Sequence, residues 1–206
     1  MLNRFARAFI TRLLTPVARV ALRLGLSPDM VTVIGTIGVC VGALGFYPRH
    51  EFLVGTLVIV AFVFSDTLDG TMARISGRTS TWGAFLDSTL DRIGDGAVFG
   101  GLLLCFASRP GGQLTAWFAL ACLVFGFVTS YARARAESLG VEAANVGIAE
   151  RADRLVVALL ATGLTGLFSW PDMVLTVTLG LLSVASAITV LQRMMAVRRH
   201  ILAGSS

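Results

Sequence analysis

Lysine is absent from this 206-residue chain, and all seventeen of its basic residues are arginine. Charge of either sign is scarce: 14% of the residues are charged, against about 25% in an ordinary soluble domain. That shortage, together with 55% hydrophobic residues and a mean hydropathy of +0.80, excludes a typical water-soluble globule and fits a polytopic membrane chain. Cysteine is limited to Cys40, Cys105 and Cys122, each inside an apolar run and none at a metal-ligand spacing, which leaves buried thiols and no thiolate metal site. The two histidines, His50 and His200, lie outside every acidic motif, and no Ser or Cys is paired with a base in the manner of a covalent nucleophile. The net charge of +5 comes without a basic helix or an aromatic stacking platform, so nucleic acid is excluded and a membrane surface with anionic substrates is favoured.

What is present is a series of long apolar runs separated by short polar turns. Arg4, Arg7, Arg12, Arg19 and Arg23 come first; at about 100° per residue they fall within about 160° of one helical face. They predict an amphipathic juxtamembrane helix over 1–26, bent or broken near Pro16, with no cleavable signal because arginines interrupt its apolar residues. Ser27-Pro28-Asp29 reads as a helix start, with a capping hydroxyl, Pro in the first turn and an acid at the positive dipole end. Spans are expected at 30–47, 52–73, 81–107 and 114–137, then from about 150, and last at 173–192. The expectation is therefore one all-α integral membrane domain over 1–206, with six transmembrane helices in 27–200. An even number of spans puts both termini on one side, which holds fifteen arginines against Arg49 and Arg109 opposite, so that side is expected to be the cytoplasm. Gly96-x3-Gly100 is expected to be a helix contact.

Within this apolar chain, Asp66 and Asp69 end the second span, and Asp87 and Asp91 begin the third. Spacings of three and four put each pair on one helical face. Carboxylates near hydrocarbon need pairing, water or a cation, and Arg74 and Arg92 alone leave the four under-neutralised. Oxygen-only ligands favour hard Mg²⁺ or Mn²⁺, and four carboxylates suit two ions, an arrangement matched to displacement at phosphorus. Gly70, Ala73 and Gly83 keep the neighbouring surface low enough for a ligand to approach. A structural ion-pair cluster is the competing reading, and it leaves surplus negative charge.

The pattern Asp-x2-Asp-Gly-x2-Ala-Arg-x8-Gly-x3-Asp-x3-Asp, from Asp66 to Asp91, resembles the signature of the CDP-alcohol phosphatidyltransferases at every fixed position. The six-span layout is similar as well. The resemblance implies that Asp66, Asp69 and Asp87 are metal ligands and that Asp91 is both ligand and general base. It implies that Gly70, Ala73 and Arg74 lie against the cytidine diphosphate, with Ser80 near the diphosphate. The segment Asp29-Met30-Val31-Thr32 resembles the family's nucleotide-contacting turn. The donor would be CDP-diacylglycerol, with its tails among the membrane lipids, and the assembly a homodimer.

The acceptor is expected to carry a phosphate, because Arg133, Arg154 and Arg193 stand at the cytoplasmic ends of the last three spans, with Arg135 and Arg151 as neighbouring alternatives. Arginines that merely set topology are the competing reading. The stretches from Asp91 to Phe99 and from Ser130 to Glu137 resemble the actinobacterial members of the family that make phosphatidylinositol phosphate, which use inositol 1-phosphate (the 3-phosphate in the other numbering). Arg133 departs from a lysine expected there and keeps the charge. Asp95 lies deeper than Asp91 and is expected to support packing. The nearest rival is a member using glycerol 3-phosphate. A cation transporter is a rival of another class, but neither inverted repeats nor broken helices accompany the aspartates.

Overall fold

The structure, a computed structural model, describes residues 15–77, 79–141 and 146–204, apart from the Asp66 side chain. Among them every regular element is helical. Residues 15–23 form α1, which Gly25 ends in the left-handed region (φ 82°), its amide and that of Leu26 closing back on Leu22 and Ala21. Ser27 then caps α2 (Pro28–Phe46) as its motif anticipated, its Oγ accepting from the Met30 amide at 3.2 Å. Ala18 and Ala21 of α1 are buried with Val31 and Met72, while Arg19 and Arg23 face outward. The remaining arginines of the expected amphipathic stripe, Arg4, Arg7 and Arg12, lie outside the described residues.

The second expected span is two helical segments, α3 (Phe52–Val63) and α4 (Ser65–Ser76), with Phe64 between them. Ser65 Oγ donates to the Phe62 carbonyl at 2.6 Å, a local bond that competes with the helical ladder. Opposite it, a Cβ added at Gly35 of α2 would lie 1.7 Å from Ser65 Oγ, so the break sits where two backbones come close. α5 (Thr81–Ala107) opens with Ser80 Oγ accepting from the Gly83 amide at 2.9 Å. α6 (Gln113–Ser138), α7 (Arg151–Phe168) and α8 (Met173–Gly204) follow. α8 runs well past its expected end at 192, because the arginines, methionines and alanine beyond it are good helix formers.

The helices close into a ring: α2 packs on α5, α5 on α6, α6 on α8, α8 on α7, α7 on α3 and α3 on α2, with α4 against α2. Val39, Ala43, Phe52, Leu102, Leu155 and Leu179 fill its interior. Gly101 lets α5 meet α2, since a Cβ there would sit 2.5 Å from the Ala43 carbonyl oxygen. Of the expected Gly96–Gly100 contact, Gly96 faces Phe127 of α6, whereas nothing lies within 4 Å of a Cβ at Gly100.

Among the described residues, four stretches are long and apolar enough to cross a membrane: Pro28–Arg49, Phe52–Ser76, Gln113–Ser138 and Met173–Ala203. Their outer faces expose Ile37, Leu57, Trp117 and Leu181. α5 and α7 begin with charged turns, and their purely apolar parts are shorter. At the other end of the bundle His50, Arg109 and Asp172 link three turns, with Arg109 Nη1 3.0 Å from His50 Nε2 and 3.6 Å from Asp172 Oδ2. Burial, then Arg109, pushes the His50 imidazole below its ordinary range against the pull of Asp172. A neutral ring can accept from the guanidinium.

Candidate active site

The charged turns of α4, α5, α6, α7 and α8 surround two cavities. The first, about 260 Å³, lies between the starts of α2 and α5 and the length of α4. Asp29 and Thr32 reach it from α2, Asp69, Gly70, Ala73 and Arg74 from α4, and Ser80 and Asp87 from the start of α5. Residues three and four apart share a helical face, which is why these α4 positions converge. Asp69 is 6% exposed and accepts a hydrogen bond from Thr32 Oγ1 at 2.5 Å. That bond ties α4 to α2 and keeps the carboxylate directed at the cavity wall. Met30 and Val31 stand elsewhere: the Met30 amide serves the Ser27 cap, and Val31 is buried with Ala18 and Met72. Positions 29 and 32 share a face that 30 and 31 do not. Arg74 is exposed, with Nη2 donating to Thr71 Oγ1 at 3.1 Å.

Gly70 meets nothing within 4 Å of where a Cβ would project, so the helix presents bare backbone to the first cavity. Gly70→Ala is therefore expected to leave the fold intact or raise its stability by up to about 1 kcal/mol through helix propensity, and yet to weaken nucleotide binding. Thermal unfolding and titration with CMP on the same preparations check this. A variant both more stable and equally good at binding would show that the bare backbone has no ligand to meet.

The second cavity, about 560 Å³, lies among α5, α6, α7 and α8, and Arg133, Arg154 and Arg193 all line it as anticipated. Packing gives the three different standing. Arg193 is buried and held by backbone, its Nε donating to the Val146 carbonyl at 2.9 Å and its Nη1 to the Thr129 carbonyl at 2.6 Å. Arg154 is 2% exposed, and its Nε and Nη1 have no hydrogen-bond partner among the described residues. Arg133 is half-exposed and paired with Glu137 at 2.8 Å, a surface arrangement of small energetic weight. The N-terminus of α7 adds the positive end of a helix dipole, with Glu150 and Asp153 forming a reciprocal cap.

Asp87 lines both cavities and Asp91 the second, so the α5 carboxylates sit at the junction. One part of the site escaped the sequence. Arg151 Nη2 lies 2.8 Å from Asp91 Oδ1, and its Nε donates to both oxygens of Asp95 at 3.1 and 3.2 Å. Arg92 Nη2 stands 3.6 Å from Asp91 and 3.7 Å from Asp95, while its Nη1 contacts Ser130 Oγ. The four-residue step from Asp91 to Asp95 was the visible signal, but its partner on α7 was not.

The donor set for a cation is oxygen only: Asp69, Asp87 and Asp91, with Asp66 three residues before Asp69 on α4. Among the described residues no three acidic, His or Cys side chains crowd onto one point, and the Asp66 side chain is not among those described. Asp69, Asp87 and Asp91 line the two cavities, and hard carboxylate oxygens suit Mg²⁺ or Mn²⁺.

The sequence profile of the CDP-alcohol phosphatidyltransferases matches residues 25–198. The chain belongs to that family. It is 52% identical over 204 residues to a phosphatidylinositol phosphate synthase of Streptomyces avermitilis, covering 97% of this chain and 84% of that one. It is 51% identical over 207 residues to the protein of the same name from Cutibacterium acnes, covering 97% and 98%. The crystal structure of the Mycobacterium tuberculosis phosphatidylinositol phosphate synthase with CDP-DAG bound superposes with a TM-score of 0.85 at 43% identity, over 90% of this chain and 94% of that one. The same Mycobacterium tuberculosis enzyme has been crystallised with manganese and citrate, and that structure also gives a TM-score of 0.85, at 43% identity and over 89% and 88% of the two chains. This CDP-alcohol phosphatidyltransferase is thus an enzyme of phospholipid synthesis and a membrane protein.

Proposed function

We propose that this enzyme transfers the phosphatidyl group of CDP-diacylglycerol to inositol 1-phosphate (1D-myo-inositol 3-phosphate), giving phosphatidylinositol phosphate and CMP. The observation that carries the acceptor is Arg154: a buried guanidinium with unpartnered donors, beside a second cavity that already holds Arg193. An uncharged alcohol such as free inositol brings nothing to match that charge, whereas a phosphate dianion does. The names of the relatives at 52% and 51% identity support the same acceptor.

The cytidine diphosphate lies in the first cavity, where Gly70 and Ala73 allow close approach and Arg74, Ser80, Asp29 and Thr32 hold it. Bound Mg²⁺ or Mn²⁺, two ions per protomer on Asp66, Asp69, Asp87 and Asp91, would supply neutralisation of the diphosphate and of the departing CMP. Arg154 and Arg193 orient the acceptor phosphate so that its hydroxyl faces the junction. Asp91 takes the hydroxyl proton as the oxygen forms its bond to the lipid-side phosphorus. The phosphorus–oxygen bond to CMP breaks in the same displacement, and no enzyme-bound intermediate is needed.

The whole chain forms one domain in the cell membrane. Its six spans are α2, α3 with α4, α5, α6, α7 and α8, preceded by an amphipathic helix. Both termini and the site face the cytoplasm, in keeping with the fifteen-to-two arginine distribution. It acts as a homodimer among membrane lipids. The reading is tested by CMP release from CDP-diacylglycerol in detergent with Mg²⁺ or Mn²⁺. Release with inositol 1-phosphate, and none with glycerol 3-phosphate, free inositol or serine, is expected. Release with glycerol 3-phosphate alone would overturn the acceptor while keeping the mechanism.

A further inference from the structure

Asp91 carries the proton transfer of the proposed reaction, yet a guanidinium 2.8 Å from its carboxylate belongs to Arg151, a residue that the reaction does not use. One guanidinium edge of Arg151 serves two acids at once, Nη2 on Asp91 at 2.8 Å and Nε on both oxygens of Asp95 at 3.1 and 3.2 Å. Asp95, one turn further along α5, is 8% exposed. Arg151 itself stands in the first turn of α7, where the Glu150–Asp153 cap fixes the backbone. A planar, forked donor shared between two carboxylates fixes their relative orientation in a way that a point charge does not. The Asp95 end has both oxygens engaged and is buried, so it is the anchor. The Asp91 end faces the acceptor cavity and is the end that can be exchanged.

A carboxylate oxygen held by a fixed guanidinium is a poorer ligand for a second cation, by the same Coulomb argument that lets a neighbouring charge shift proton affinity. We propose that Arg151, anchored by Asp95, is a positioning residue that holds Asp91 in register with the acceptor cavity and competes with the divalent cation for its carboxylate. This keeps Asp91 from being committed wholly to metal binding and holds its carboxylate facing the acceptor cavity. The proposal rests on the transferase reading above. It adds a sign that a purely structural ion pair does not carry: loss of Arg151 should make the metal bind better and the enzyme work worse.

The test uses the full-length protein in detergent as wild type, Arg151→Gln, Arg151→Lys and Asp95→Asn. Mn²⁺ binding is read directly from the electron paramagnetic resonance of the free ion, without donor or acceptor. Arg151→Gln is expected to bind Mn²⁺ about tenfold more tightly. Its kcat should fall about 10- to 100-fold with the KM for CDP-diacylglycerol changed by no more than about twofold. Asp95→Asn should lose kcat similarly but bind Mn²⁺ more weakly, because the guanidinium is then left to Asp91 alone. Arg151→Lys should keep near wild-type Mn²⁺ affinity and recover part of kcat.

Unchanged or weaker Mn²⁺ binding in Arg151→Gln would overturn the proposal. So would a large rise in acceptor KM with Mn²⁺ affinity unmoved, which would make Arg151 an acceptor ligand. If Arg151→Gln does not fold, Asp95→Asn decides alone, and equal or tighter Mn²⁺ binding there overturns the idea. The Mn²⁺ measurements need no acceptor. A wild type that binds Mn²⁺ but transfers nothing to inositol phosphate would therefore overturn the functional reading, and the opposite shifts of the two variants would still judge the competition for Asp91.

Discussion

Replacing Asp91 by asparagine is expected to leave only about one part in 10² to 10⁴ of the turnover, while CDP-diacylglycerol still binds. Asparagine keeps the size of the side chain and an oxygen for Arg151, and Asp95 continues to neutralise that arginine. The junction therefore stays assembled, and the loss combines the group that accepts the hydroxyl proton with one anionic metal ligand. Asp29, Thr32, Gly70 and Arg74, the proposed donor contacts, line the other cavity and are untouched. The checks are steady-state CMP release at saturating acceptor and binding of CDP-diacylglycerol to the same preparation. Near-normal turnover would remove Asp91 from the base role. A parallel collapse of donor binding would recast it as a donor-side ligand.

The second large effect is expected at Arg154. Arg154→Met replaces a buried guanidinium, whose Nε and Nη1 lack partners among the described residues, by an apolar side chain that fills much of the space. A buried charge without full compensation costs stability, so the variant should unfold at the same temperature as wild type or higher. Acceptor use should move the other way. Truncating one partner of a buried, charged hydrogen-bonded pair costs about 2–5 kcal/mol, or about 30- to 4,000-fold in kcat/KM for inositol phosphate. Donor binding should hardly change, because Arg154 does not line the first cavity, where the donor is proposed to lie. Kinetics with each substrate varied in turn, beside a thermal melt, read both signs. Equal losses for donor and acceptor, with a lower melting temperature, would reduce Arg154 to a structural residue. Arg133→Ala is a useful contrast, since its half-exposed pairing with Glu137 predicts a smaller effect.

Much of the site was legible because it is local. Ser27 and Ser80 announced the helix starts they cap, and Gly70 and Ala73 announced the low wall of the first cavity. The spacing of Asp66, Asp69, Asp87 and Asp91 described single helical faces, and helical period is a property of a few consecutive residues. The same period also explains the imperfect part: Asp29 and Thr32 line the cavity, but Met30 and Val31, named with them as one contiguous turn, point to other faces.

By itself, the sequence determined an all-helical, lipid-compatible chain with an acidic site at one end and arginines gathered beside it. Only the tertiary structure decided how those arginines differ. Arg133, Arg151, Arg154 and Arg193 are alike as letters near helix ends, yet one is paired at the surface, one bridges two aspartates, one is buried with two nitrogens unpartnered among the described residues, and one is held by backbone carbonyls. Likewise, the break at Phe64 follows from Gly35 and Ser65 meeting across two helices. A hydrophobic pattern states which face of each helix turns inward, but not which faces then meet. That depends on the rotation and offset of packed helices, which are set jointly by residues 30 to 60 positions apart.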